Sequence, residues 1–238
     1  LKALNFAAKW LFSLCLPILL LTVSIGVAVN SHRLYKYGFE KYDIIQTTGI
    51  AEAELEKAAT GLISYFNSGE EDISLTVIKD GEPFELFNQR EVAHLRDVKG
   101  LIRLDYWVLL GTLIYALSYA GVSLFWQRGR YWRRLGWGVM SGSGITLALM
   151  LALGLGILLN FDQLFWQFHL FSFTNELWQL DPARDYLIML FPGGFWYNAA
   201  LFCAGITAGL AIILGGVAGG YLRASRANRT LQSNNGNG

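Results

Sequence analysis

The sequence predicts an all-α membrane protein: four transmembrane helices with a small extracytoplasmic α+β cap between the first and second spans. Three observations lead there. Hydrophobic residues make up 53% of the 238-residue chain and charged ones only 16%, well below the quarter usual in soluble domains. Four apolar runs are each long enough to cross a hydrocarbon core of roughly 30 Å. The charges between those runs are segregated by sign.

The first run, Trp10 to Val29, carries no charge and follows Lys2 and Lys9. A basic start before an apolar centre is also the pattern of a cleaved signal peptide. The run is long enough to span, so residues 1–30 are read as a retained first transmembrane helix. A start without Met places Leu1 a few residues inside the natural chain.

Residues 31–105 form the one stretch of soluble composition. From Ala51 to Asn67, Leu55, Ala58, Ala59, Leu62, Ile63 and Phe66 make one helical stripe, and Glu52 and Glu54 sit in the first turn. Ile73 to Ile78 and Phe84 to Phe87 flank Asp80-Gly81, a strong hairpin-turn signal. A polar helix follows, with Asn88 as its cap and Glu91 completing a capping box. His94 and Asp97 are three apart and share a face of it.

Residues 106–126 are the second span, 127–136 a basic loop, 137–159 the third span, 160–197 a re-entrant-like polar-aromatic loop and 198–222 the fourth span. The tail, 223–238, ends in a low-complexity Asn/Gly stretch expected to be disordered. Gly138 and Gly142, Gly205 and Gly209, and Gly215 and Gly219 are spaced for close helix packing. Cys15 and Cys203 both lie in apolar runs, which argues against a disulfide.

Charge sets the orientation. The start, the middle loop and the tail carry nine Lys and Arg and no acid, among them Arg128, Arg130, Arg133, Arg134, Arg223, Arg226 and Arg229. Residues 31–105 carry fourteen acids against nine bases, and 160–197 four against one. The positive-inside rule then makes both termini cytoplasmic and puts both acidic segments outside. Trp107, Trp166, Trp178 and Trp196 fit an outer aromatic belt, and Trp126, Trp132 and Trp137 an inner one.

That topology brings His94 and His169 to the same membrane face, each amid carboxylates, while His32 reads as a solvated loop residue. Glu91 and His94 form one Glu-x-x-His, but a di-metal bundle needs a second. No Gly-x-Ser-x-Gly turn offers a nucleophile, and no basic-aromatic surface suits nucleic acid. The loop around His169 interleaves apolar and polar residues. It reads either as an aromatic interfacial anchor or as a lipid-facing wall in which His169, Asn175 and Asp185 meet a head group.

Glu91-x-x-His94-x-x-Asp97-Val98-Lys99-x-Leu101 stands before one span. Phe168-His169-x-x-Phe171-x-Phe173-x-Asn175-x-x-Trp178-x-Leu180-Asp181-Pro182-x-x-Asp185-x-Leu187-Ile188-x-x-Phe191-Pro192 stands before another. Together they resemble a bacterial four-span family that includes the lipoprotein intramolecular transacylase. The resemblance implies an acyltransferase of the plasma membrane that moves an acyl chain from the glycerol of a diacylglyceryl lipoprotein to its N-terminal amine. It implies His94 and His169 as the catalytic pair; Glu91, Asp97, Asn175, Asp181 and Asp185 are read beside them as supporting groups, and an amine attacking an ester of the same molecule requires no cofactor. His169 as base and His94 as acid, oriented by Asp97, is the working assignment, and the reverse stays open. The rival reading is a non-catalytic accessory subunit packed against partner membrane proteins, and haem or quinone binding is a third.

Overall fold

The computed structural model describes the backbone of residues 2–125 and 132–235 and the side chains of 6–125 and 132–226. Trp126, Arg128 and Arg130, and the side chains of Lys2 and Arg229, lie outside the described residues. In chain order the elements are α1 (Lys2–Val29), α2 (His32–Lys41), α3 (Ile44–Thr48), α4 (Glu52–Asn67), β1 (Thr76–Lys79) and β2 (Glu82–Glu85). Then come α5 (Gln89–Phe125), α6 (Trp132–Ser172), α7 (Tyr186–Leu190) and α8 (Gly193–Asn235). Four of them, α1, α5, α6 and α8, are long and apolar enough to cross a membrane, and the protein is a multi-pass membrane protein.

The chain divides into two compact units. One comprises residues 1–24, 107–154 and 204–238 and holds most of the apolar helix length. Its hub is α1, whose apolar window is 50% buried against 6–17% for the other three. Pro17 lacks the N–H that would bond the carbonyl of Ser13, and Gly142 of α6 packs against that freed oxygen. A Cβ at Gly142 would meet it at 3.0 Å and Leu16 at 2.9 Å. Ser13 Oγ donates to the Gly138 carbonyl at 3.1 Å, Tyr115 of α5 to the Ala8 carbonyl at 2.9 Å, and Thr207 of α8 to Ser24 Oγ at 2.8 Å. The Gly138/Gly142 pair thus packs closely as its spacing predicts. Gly205 and Gly209 face open space.

The other unit comprises residues 25–106 and 155–203. Leu55, Ala58, Leu62, Tyr65 and Phe66 of α4 form its core with Ile44, Ile50, Val77, Leu86 and Leu190. Tyr65 joins the stripe, and Ile63, partly buried, packs against the same core. The hairpin turns at Asp80 and Gly81, both with positive φ (53° and 82°), the backbone of a two-residue turn with the twist of its strands. Lys99 of α5 is almost wholly buried. It donates to Ser68 Oγ at 3.0 Å and the Glu70 carbonyl at 2.7 Å over the Tyr65 ring, which ties α5 to the end of α4.

Three boundaries differ from the expected ones. The His94 helix and the second span are one helix, because no Pro separates them and the single Gly100 is carried within the helix. At 37 residues, α5 is about 56 Å long, far more than a bilayer core requires. Its charged end, 89–105, therefore projects beyond the apolar span. The third span likewise continues past 159 as α6, so His169 lies on a helix and not in a loop. Asn160 interrupts it with non-helical φ/ψ (−160°, 79°), and Asn160 Oδ1 accepts from the Gln163 N–H at 3.1 Å, capping the polar segment that follows. The tail expected to be disordered is helical to Asn235.

Candidate active site

The site is assembled at the start of α5. Asn88 Oδ1 accepts from the N–H groups of Arg90 (2.9 Å) and Glu91 (3.1 Å), and Glu91 Oε2 accepts from the Asn88 N–H at 2.8 Å. This is the reciprocal capping box. The second oxygen of Glu91, Oε1, accepts from the Leu187 N–H in the first turn of α7 at 2.6 Å. Asn88 Nδ2 donates to Asp185 Oδ1 at 2.9 Å, and Asp185 Oδ2 accepts from the Asp181 N–H at 2.7 Å. Asp181 closes its own turn by accepting from the Ala183 N–H at 3.0 Å. Glu91 and Asp185 therefore bind the 173–191 segment to the head of α5, and Asp181 shapes a turn within that segment. Burial, with Asp185 nearby, pushes the Glu91 carboxyl above its ordinary range against the pull of its N–H donors.

One turn further along α5 stands His94, buried and facing His169 of α6. The ring centroids are 6.3 Å apart with planes 29° from parallel. His169 Nδ1 lies 2.7 Å from the Phe165 carbonyl oxygen. A carbonyl only accepts, so Nδ1 carries the hydrogen and Nε2 of the neutral ring keeps its lone pair. His94 Nδ1 is buried with no protein partner. Aromatic rings wall the pair. Phe173 sits 5.1 Å from His94 and 5.6 Å from His169, Trp178 lies 4.8 Å from His169, and Phe165 meets His169 edge-on at 4.4 Å.

This wall sets the electrostatics. Burial, then the neighbouring His169, lowers the His94 imidazole to about 4, with Asp97 pulling the other way. Burial lowers His169 as well, opposed by its bond to Phe165. Both rings are neutral at physiological pH, one presenting a basic nitrogen and the other a nitrogen without a partner.

Asp97 does not orient His94 by a hydrogen bond, as the i,i+3 spacing implied. Its Oδ2 accepts from Asn175 Nδ2 at 2.9 Å, and it reaches His94 only through its charge. Asn175 in turn accepts from the Leu177 N–H at 3.0 Å, so this pair shapes the segment that carries Trp178. Among the described residues, no three His, Cys, Asp or Glu side chains converge to hold a metal ion. Sequence reasoning placed Trp178 in the membrane belt and gave Phe165 and Phe173 no role at the histidines. The signal available was their spacing: Phe165 and Phe173 stand four residues either side of His169.

The family model of the lipoprotein intramolecular transacylase Lit matches residues 10–196. An uncharacterized protein of Aquifex aeolicus (strain VF5) is 28% identical over 219 residues, 88% of this chain and 94% of that protein. The in meso structure of the membrane integral lipoprotein intramolecular transacylase Lit from Bacillus cereus superposes with a TM-score of 0.81 at 22% identity, covering 95% of this chain and 99% of that one. Two structures of the same enzyme, with one histidine replaced by arginine or by alanine, give 0.76 at 21% identity, covering 95% of this chain and 96–97% of theirs.

Proposed function

The chain belongs to the lipoprotein intramolecular transacylase family, and from that premise we propose that it moves an acyl chain from the glycerol of a diacylglyceryl lipoprotein onto the lipoprotein's own N-terminal amine, using His94 and His169. The observation that carries the reading is the facing pair of neutral imidazoles, 6.3 Å apart inside an aromatic wall. An amine that attacks an ester of the same molecule needs no enzyme nucleophile, because holding the two groups together supplies much of the rate.

His169 takes the amine proton at Nε2, the nitrogen its Phe165 bond leaves basic. The amine nitrogen forms the new amide bond, the ester C–O bond breaks, and the departing glycerol oxygen needs one proton. Neither ring enters as an imidazolium. The proton that reaches this oxygen is therefore the one the amine gave up, delivered through His94 on the opposite side. Asp97, Asn175, Asp181, Asp185 and Glu91 support the pair indirectly, through the capping box and the 173–191 segment. No cofactor enters the scheme. Charge asymmetry supports an outer-leaflet site in the bacterial plasma membrane with both termini cytoplasmic.

The test is tandem mass spectrometry of lipoproteins from cells that express the protein. The reaction is an isomerisation, so the parent mass is conserved and fragmentation must locate the acyl chain. Expression yields N-acyl, lyso-glyceryl product, and His94→Ala or His169→Ala abolishes it while the protein still accumulates in the membrane. Product unchanged in both variants refutes the assignment.

A further inference from the structure

The unit built from residues 1–24, 107–154 and 204–238 contains no histidine, yet it has a cavity of its own. A space of about 370 Å³ opens between α6 and α8, lined by Trp137 and Met140 on one helix and by Gly216, Gly220, Arg223 and Arg226 on the other. The helices touch toward both of its ends. A Cβ at Gly215 would meet Ser143 at 3.0 Å, and one at Gly136 would meet Leu222 at 3.3 Å. A Cβ at Gly216 or Gly220 would meet nothing within 4 Å, so bare backbone floors the cavity. Gly216 and Gly220 belong to the fourth span, and Arg223 follows it directly. From Gly216 to Arg223 the helix rises about 10 Å, which carries the cavity from the hydrocarbon to the head-group level. The Arg226 guanidinium lies 5.8 Å from the centre of the Trp137 ring, a cation–π contact that holds it at the rim. Arg223 is exposed and has no hydrogen bond or ion pair among the described residues.

The composition of this unit decides what can answer those charges. It carries nine Lys and Arg and not one Asp or Glu, so no carboxylate within it neutralises any of them. The counter-charge comes from outside the unit, and at this depth it meets an apolar floor as well. A free anion would satisfy the arginines and leave the glycine floor unfilled. A zwitterionic lipid would fill the floor but bring a second cation to the arginines. An anionic phospholipid answers both, and basic pockets between spans at the cytoplasmic surface suit such head groups.

We propose that this cavity binds one anionic phospholipid, its phosphate against Arg223 and Arg226 and one acyl chain along Gly216 and Gly220. The site is independent of the transacylase reading. Native mass spectrometry tests it, with the detergent-purified protein titrated with phosphatidylglycerol or with phosphatidylethanolamine of the same chains. The wild-type protein binds one phosphatidylglycerol about tenfold more tightly than phosphatidylethanolamine, the usual worth of a hydrogen bond from a charged group. Arg223→Gln removes most of that preference. Gly220→Leu adds no charge, enters open space and improves helix propensity; it blocks the chain and abolishes the tight binding while the lipid-free melting temperature does not fall. Arg133→Gln, at a residue outside the cavity lining, leaves binding unchanged. Equal affinity of the wild-type protein for the two lipids, or the preference retained in Arg223→Gln or in Gly220→Leu, overturns the proposal. So does an equal loss in Arg133→Gln, which would mark diffuse attraction to a basic surface. Displacement of the lipid by inorganic phosphate overturns it too, marking a site for a free anion.

Discussion

At the scale of single residues, the site is defined by which nitrogen holds a hydrogen. The Phe165 carbonyl commits His169 to one tautomer, while nothing in the protein meets His94 Nδ1. Burial keeps His94 neutral down to about pH 4, against the ordinary 6.5. The folded state thus disfavours protonation that the unfolded state accepts. The resulting stabilisation is fully present above pH 6.5 and is lost as pH falls from 6.5 through 4. A shift of that size corresponds to a few kcal/mol, roughly 1.4 per pH unit. Thermal unfolding in detergent at pH 7.5, 5 and 4 measures it, with His94→Gln, which does not titrate, as the reference. The wild-type protein loses more stability on acidification than the variant; parallel losses would show that His94 is not held neutral.

At the scale of elements, the join between α5 and α7 depends on one carboxylate. Glu91 closes the capping box with one oxygen and takes the Leu187 N–H in the first turn of α7 with the other. Replacing it by alanine leaves the buried Leu187 N–H unpaired, at about 1–3 kcal/mol, and removes the capping partner of the part-buried Asn88 N–H. Glu91→Ala is therefore expected to lower the melting temperature and speed proteolysis within 173–191, with Glu91→Gln in between. A variant as stable and as protected as the parent would show that this join is dispensable. Asp185 belongs to the same stitching and Asp181 to the turn beside it, which is why acids that look catalytic in the sequence are used up by the Asn88 amide and by backbone N–H groups. Elsewhere the close packing of α6 on α1 rests on Gly138 and Gly142, where a side chain would collide with Phe12 or Leu16.

At the scale of the molecule, the segregated charges predict that residues 31–105 and 160–197 share one side of the membrane, opposite both termini. Reporter fusions test it. Alkaline phosphatase joined after Gly69 is expected to be active and joined after Arg226 inactive, with a fluorescent protein giving the opposite pattern. Activity of the phosphatase at Arg226 would reverse the orientation that the charges dictate.

Read from residues alone, the chain declares its four spans, its hairpin turn at Asp80-Gly81 and its Asn88/Glu91 cap, because each depends on hydropathy or on neighbours within a few positions. The meeting of two imidazoles 75 positions apart does not follow from local pattern, although topology brings them to one face. Their 6.3 Å spacing, the aromatic wall of Phe173 and Trp178, and the pairing of Asp97 with Asn175 come from long-range packing. The 173–185 segment shows why. It has no periodicity, and its path is set by Asx turns and by bonds to α5, partners that lie near one another only after the helices have assembled.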